Sequence, residues 1–389
     1  MKAELFSEET LLKARALFPH IPTGKIYLNH AATSPLSTRV VDAVSTHLLN
    51  RSSGAIDDYW KTLEKITELR QNVATLINAE SAARIAFTGS TTDAINIVAN
   101  GLDWKSGDRV LLNDMEFPAN VYPYHHLKKR GVEIDVIPSV NNRVTPEMIA
   151  QFLKPQTRVV ALSAVQFLTG FKADLKVIGE LCRSRGITFA VDAIQAVGAI
   201  KIDVQAMKID ALAAGAQKWQ MSPHGSGFLY LTEELQAKIN QQSIGWLSVE
   251  NPWNFFDYEQ PLDPTARRFE NGSLIMPSLW GMHAAIGTLL EFGAENIQNH
   301  IFALTDILID SFKNLDGVRM ISPEKYTERG GIVTIELLKA SADAILEKMM
   351  AENVVISLRE GKLRFSPHFY NSPEEVVKAL EVFKSALKS

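Results

Sequence analysis

Cysteine is nearly missing from this chain: Cys182 stands alone among 389 residues. One thiol excludes an intrachain disulfide framework, and the expected setting is a reducing, cytoplasmic one. Long apolar runs are missing as well, and none reaches the ~18 residues of a membrane span. The opening stretch MKAELFSEETLLKARALFPH holds too many charges to read as a signal peptide. Neither sign of charge dominates: 40 Lys and Arg stand against 44 Asp and Glu, a net charge of −4. With a pI of about 6.2, the chain has no electrostatic basis for holding nucleic acid or an anionic membrane. No G-x-G-x-x-G lies between a strand and a helix, which removes the signature of a nucleotide-dependent dehydrogenase. His125 and His126 have no partners at helical i, i+4 spacing, so no metal site is expected.

What is present is a globular chain, 46% apolar and 22% charged, too long for one ordinary core. Short β-rich runs recur at 84–89, 108–114, 133–139, 157–165, 187–193, 211–215 and 227–232. Helical periodicity lies at 37–50, 58–78, 91–101, 119–130, 146–153 and 174–185. Strands alternating with helices, several of them wholly apolar, predict a seven-stranded, mostly parallel sheet covered on both faces. Helices at 277–293 and 295–314 follow, then short strands with helices at 341–351 and 373–387, the pattern of a small α+β domain. The expected division is a large α/β domain over 22–280 and a smaller α+β domain over 281–389, joined by segment 1–21. The aromatic, proline-broken stretch 246–258 reads as ordered and irregular, packing at the domain junction rather than lining a pocket.

Ligands in such sheets sit at the carboxyl ends of the strands. FTGSTTDAIN puts Ser90, Thr91 and Thr92 at the start of a helix, where free N–H groups and hydroxyls suit a phosphate, or simply cap the helix. Phe117 follows another strand and could stack on a planar ring. Gln166 could donate to a ligand oxygen. Asp192 ends a nearly continuous apolar strand, a costly place for a carboxylate without a cation, and Gln195 follows. Lys218 comes directly after small residues, Ala213, Ala214, Gly215 and Ala216, which let a bulky partner approach. A lysine acts as a Schiff-base nucleophile only when its pKa is depressed. Phosphate cradle, ring platform, ring-nitrogen carboxylate and Schiff-base lysine are together the parts of a pyridoxal 5'-phosphate site.

IYLNHAATSPLSTRVVDAV, FTGSTTDAINIVANGL, FAVDAIQAVGAIKIDV, GAQKW, RRFENGS and LRFSPHFYNSPEEV, in that order, resemble the class V aminotransferase family of pyridoxal-phosphate enzymes. That group includes cysteine desulfurases, kynureninases and isopenicillin-N-epimerase-like proteins. The resemblance runs nearly the whole length and implies an aspartate-aminotransferase-like fold and an amino-acid substrate. It implies that Ser90, Thr91 and Thr92 hold phosphate, Phe117 stacks on the pyridine ring, and Gln166 lies beside the cofactor. Asp192 then pairs with the ring nitrogen, Gln195 meets the ring hydroxyl, Gln217 stands where desulfurases place a phosphate-binding His, and Lys218 is the imine lysine. Arg364 matches the arginine that grips the α-carboxylate, and Asn29 and His30 line the substrate entrance, with a structural role for His30 as the alternative. Ser273 matches the hydroxyl offered to the neighbouring subunit's phosphate, which implies a homodimer with shared sites. A desulfurase also needs a mobile cysteine before that arginine, and VVISLREGKLRF has none. Cys182 falls on a helical stripe expected to be buried. The leading expectation is therefore transamination, with epimerase or lyase chemistry on the same cofactor as the alternative.

Overall fold

The computed structural model describes residues 3–54 and 56–388. Its centre is a seven-stranded sheet whose spatial order is Ile85–Thr88, Gly227–Leu231, Ala211–Gly215, Thr188–Asp192, Thr157–Ser163, Arg109–Asn113 and Glu133–Ile137. Only Gly227–Leu231 runs antiparallel to its neighbours. The central strands are apolar at nearly every position because helices cover both faces. Ala211–Gly215 and Gly227–Leu231 are buried throughout. The sheet is the α/β fold expected from the periodicity.

Register places the chemistry. Ser163 pairs with Asp192, and Asp192 with Ala213, so the first two strands end at one level and the third runs on to Gly215. Lys218 follows within three residues of the last strand's end at Gly215. The helix Thr91–Gly101 starts over the same edge and packs on strands Ala211–Gly215 and Gly227–Leu231.

A second sheet of four antiparallel strands holds Ser357–Arg359, Lys362–Phe365, Val333–Leu337 and Val318–Met320 in that spatial order. Its core includes Leu308, Phe312, Phe365 and Phe383, from helices Ala294–Phe312 and Pro373–Lys388 and the sheet itself. Ile26–Tyr27 pairs in parallel with Val354–Val355, so the early chain and the smaller domain are tied together.

Four expectations need amendment. A division at residue 280 would cut the helix Met276–Phe292, which packs on helices Thr38–Ser53 and Tyr59–Leu76 of the large domain. We place the division after it, near Gly293. Segment 1–21 does not belong wholly with the small domain, because Ala14 and Phe18 are buried in the same cluster as Phe189 and Trp219. The helix expected over 119–130 is broken into Pro118–Asn120, Tyr122–His126 and Leu127–Arg130. Pro123 lacks an N–H and fits only a first turn, so the α-helix restarts just before it. The stretch 246–258 is irregular as expected, but it does not pack a junction. Trp253 meets Tyr59 and Trp246 edge-on and Trp60 at a tilt at the surface, and Phe256 is 88% exposed.

Candidate active site

Asp192 and Lys218 act on each other electrostatically. The Asp192 carboxylate is buried, and its Oδ1 accepts the Ile194 N–H at 3.0 Å. Burial pushes its pKa up to about 6; the Ile194 bond and the Lys218 charge pull the other way, and the Glu116 charge adds to the rise. Lys218 shows the complementary perturbation. Burial drives its ammonium down to about 8, Asp192 opposes this, and Arg364 and Arg359 reinforce it. A lysine so depressed holds an appreciable neutral fraction near neutral pH, which an amine nucleophile requires.

The neighbours of Lys218 hold it in place. Trp219 is fully buried, donates from Nε1 to Gln195 Oε1 at 2.7 Å, and accepts at its carbonyl from His368 Nε2 at 2.8 Å. Phe117, 42% exposed, lies with its ring centroid 5.6 Å from Lys218 Nζ and meets Phe167 edge-on. The Phe167 carbonyl accepts from Arg364 Nη1 at 2.6 Å, and Ser357 Oγ accepts from Arg364 Nε at 3.2 Å. Arg364 is 2% exposed and has no carboxylate partner among the described residues. Burial therefore lowers it to about 10, with Arg359 adding to the effect.

On the helix side, Ser90 caps Thr91–Gly101 by accepting the Asp93 N–H, so the capping reading of this hydroxyl is realised. Thr91 Oγ1 accepts the Gly215 N–H at 2.8 Å, which ties the helix start to the strand before Lys218 and leaves the hydroxyl proton to donate elsewhere. Thr92 is exposed on the first turn. The backbone at Gly215 is closely approached: a Cβ there would stand 2.7 Å from Gln217 Oε1 and 3.0 Å from Thr91 Oγ1.

Several residues behave otherwise than the sequence suggests. Gln166 does not present a donor. Its Nε2 donates to Glu116 Oε1 at 2.9 Å, and its Oε1 is buried without a partner, so what it has left is an acceptor. Gln195 is largely committed to the protein: beyond the Trp219 bond, its Nε2 donates to the Ala31 carbonyl at 3.0 Å. His30 is withdrawn from any substrate entrance. It is fully buried, with Nδ1 2.8 Å from the Ser366 carbonyl and Nε2 2.7 Å from the Tyr370 hydroxyl. Asn29 keeps a buried Oδ1 without a partner. Ser273 is not in the Lys218 group; it lines a separate cavity of about 600 Å³ with Gly89, Asp93 and Asn271.

Glu116 is the residue that sequence reasoning missed. Its carboxylate accepts from Asn113, Asn120, Gln166, and both the N–H and hydroxyl of Ser163. A buried negative charge fully met by donors fixes the Gln166 amide, because only the NH2 end can face it. The N-x-x-E-x-x-x-N spacing over 113–120 was the available signal.

A buried carboxylate, a depressed lysine, an aromatic face and a helix N-terminus on one sheet edge define a site for a phosphorylated, aldehyde-bearing heterocycle. The unpartnered acceptor of Gln166 and the bare backbone at Gly215 fit such a group. The family model for class-V aminotransferases matches residues 26–376, and the chain belongs to that family. A probable cysteine desulfurase of Methanothermobacter thermautotrophicus is 28% identical over 90% of this chain and 92% of its own length. An uncharacterized aminotransferase, YcbU, of Bacillus subtilis is 28% identical over 94% of this chain and 95% of its own. Among solved structures, the cysteine desulfurase CsdA of Escherichia coli superposes with a TM-score of 0.88 at 20% identity, covering 99% of each chain. The cystine C–S lyase C-DES does so with a TM-score of 0.85 at 24% identity, covering 94% of this chain and 98% of that one. The family is one of pyridoxal-phosphate enzymes, and pyridoxal 5'-phosphate is the cofactor.

Proposed function

We propose that this enzyme transaminates an amino acid and that Lys218 carries the cofactor as a Schiff base. The opposed perturbation of Asp192 and Lys218 on one buried sheet edge carries the reading. Pyridoxal phosphate, when bound, supplies an electron-accepting ring that stabilises negative charge at the amino-acid α-carbon. In this reading Asp192 holds the ring nitrogen protonated, and Phe117 covers one ring face. Ser90, Thr91 and Thr92 at the helix start take the phosphate, with Gln217 beside them. Gln166 accepts from the ring substituent next to it. Lys218, once the substrate amine displaces it, would accept the α-proton on its neutral Nζ and pass it to the carbon Lys218 itself had held, rather than back to the α-carbon. The Arg364 guanidinium, poor in partners, takes the α-carboxylate as a fork and fixes the α-carbon over Lys218, with Asn29 on the substrate side. Ser273, exposed and remote from its own Lys218, serves the phosphate of a second copy in a homodimer.

Transamination is preferred over sulfur transfer because the only thiol, Cys182, is buried on helix Leu175–Ser184 and pushed up to about 12. The test is direct. Purified protein should show the absorbance of a lysine-linked cofactor, reducible by borohydride, and Lys218→Ala should abolish both. A borohydride-reducible linkage surviving in that variant removes Lys218 from the mechanism. Conversion of an amino donor to its keto acid, dependent on an added keto-acid acceptor, identifies transamination. Acceptor-independent release of sulfide or pyruvate identifies a lyase instead.

A further inference from the structure

The strands Ser357–Arg359 and Lys362–Phe365 form a hairpin turned by Glu360 and Gly361, at φ 47° and 70°. Positive φ at both central residues is the geometry of the tight two-residue turn that pins strand register. Ser357 stands opposite Arg364, Leu358 opposite Leu363, and Arg359 opposite Lys362. Side chains alternate between faces, so Ser357, Arg359, Lys362 and Arg364 share one face, while Leu363 is buried in the small-domain core. The Ser357–Arg364 hydrogen bond lies on that shared face. A row of cations therefore climbs from buried Arg364 to exposed Arg359.

None of the three is neutralised by an ion pair among the described residues. Arg359 Nη1 donates to the Leu358 carbonyl at 2.8 Å, and Lys362 Nζ to the Glu360 carbonyl at 3.1 Å. Arg39, Arg143 and Arg319 each hold a carboxylate, whereas Arg130 and Arg268, like the row, donate to backbone carbonyls. Arg359 lies on the hairpin face that carries Arg364, and its charge bears on both Arg364 and Lys218. One α-carboxylate on Arg364 leaves the outer cations without a counter-charge.

We infer that the substrate is an amino acid with a second carboxylate, of aspartate or glutamate length, and that Arg359 is the residue that selects it. The inference rests on the reading of Lys218 and Arg364 given above. Chain length within the class is set by the distance from Arg364 to Arg359, and the two acids serve as separate probes.

The experiment is a spectral titration of the cofactor-loaded enzyme with L-aspartate, L-glutamate, L-asparagine and L-glutamine, repeated on Arg359→Gln. At least one acid should bind about tenfold or more tightly than its amide, the scale of a charge-assisted hydrogen bond. In R359Q that acid should fall to the affinity of the amide. Equal affinity of acids and amides in the native enzyme overturns the inference, as does a preference that survives in R359Q; either result leaves the Lys218 reading standing. A loaded enzyme without the lysine-linked absorbance overturns that reading and this inference with it.

Discussion

Asp192→Asn should make the cofactor-free protein more stable, and only above a defined pH. Burial raises the Asp192 pKa from 3.8 to about 6, mainly because desolvation penalises the charged form. Between those two values the folded protein keeps a proton that the unfolded chain has released. Stability from this group is thus complete below pH 3.8 and is lost as pH rises through about 6. Each tenfold in proton affinity is about 1.4 kcal/mol, so the full loss is about 3 kcal/mol. Asparagine matches the protonated acid in shape and can still accept the Ile194 N–H through its side-chain oxygen.

Chemical denaturation of the apo forms from pH 4 to 8 reads this out. The variant should equal the native protein at pH 4 and exceed it by about 3 kcal/mol at pH 7. Lys218 should move in step: Asp192 lifts its pKa, so the Asn variant should titrate below the native value of about 8 in an amine-labelling profile. A stability difference that stays flat across the range, or a Lys218 pKa that rises, would refute burial as the dominant influence. The gain in apo stability should come with weakened cofactor retention, since a group that costs stability when empty is kept for what it binds.

Glu116 variants separate charge from position. Glu116→Ala should weaken cofactor binding about tenfold or more, because Gln166, Asn113, Asn120 and Ser163 all lose their acceptor. Glu116→Gln should retain most of it, since its oxygen can still meet the Ser163 N–H and Gln166; equilibrium dialysis of the cofactor compares the two. The ion pair of Arg70 and Glu270 is buried and bidentate, at 2.5 and 2.9 Å, and Glu270 also accepts the Phe87 N–H at 2.7 Å. Arg70→Met should cost roughly 3–5 kcal/mol in urea denaturation by stranding that carboxylate.

The large sheet was legible because its strands are short, apolar and separated by amphipathic helices. Lys218 and Asp192 stood out because each is a charge in a run that otherwise excludes charge. Both signals are local. What escaped depends on contacts across the chain. His30 is held by Ser366 and Tyr370, more than 300 residues away, and no window around NHAA could reveal it. Gln195 is committed by Trp219 and Ala31, and the orientation of Gln166 is dictated by Glu116, whose role emerges only when segments 113–120 and 163–166 meet. The expected division at residue 280 falls inside helix Met276–Phe292, which is apolar nearly all round, so only its packing shows what it covers.

The names of the relatives divide over the fate of sulfur, and the hairpin that carries Arg364 bears on that division. Sulfur transfer to the protein needs a thiolate at the substrate, because the thiolate and not the thiol is the nucleophile. Cys182 is fully buried, and at about 12 its thiolate is roughly one part in 10⁵ at neutral pH. The hairpin could not deliver another even if one were substituted at its turn, because strand register fixes both arms and two residues close it. Where a sulfur-accepting enzyme needs a mobile nucleophile, this chain has a rigid row of cations. Cations at that place do not attack; in the function proposed above they would hold a carboxylate while Lys218 moves a proton.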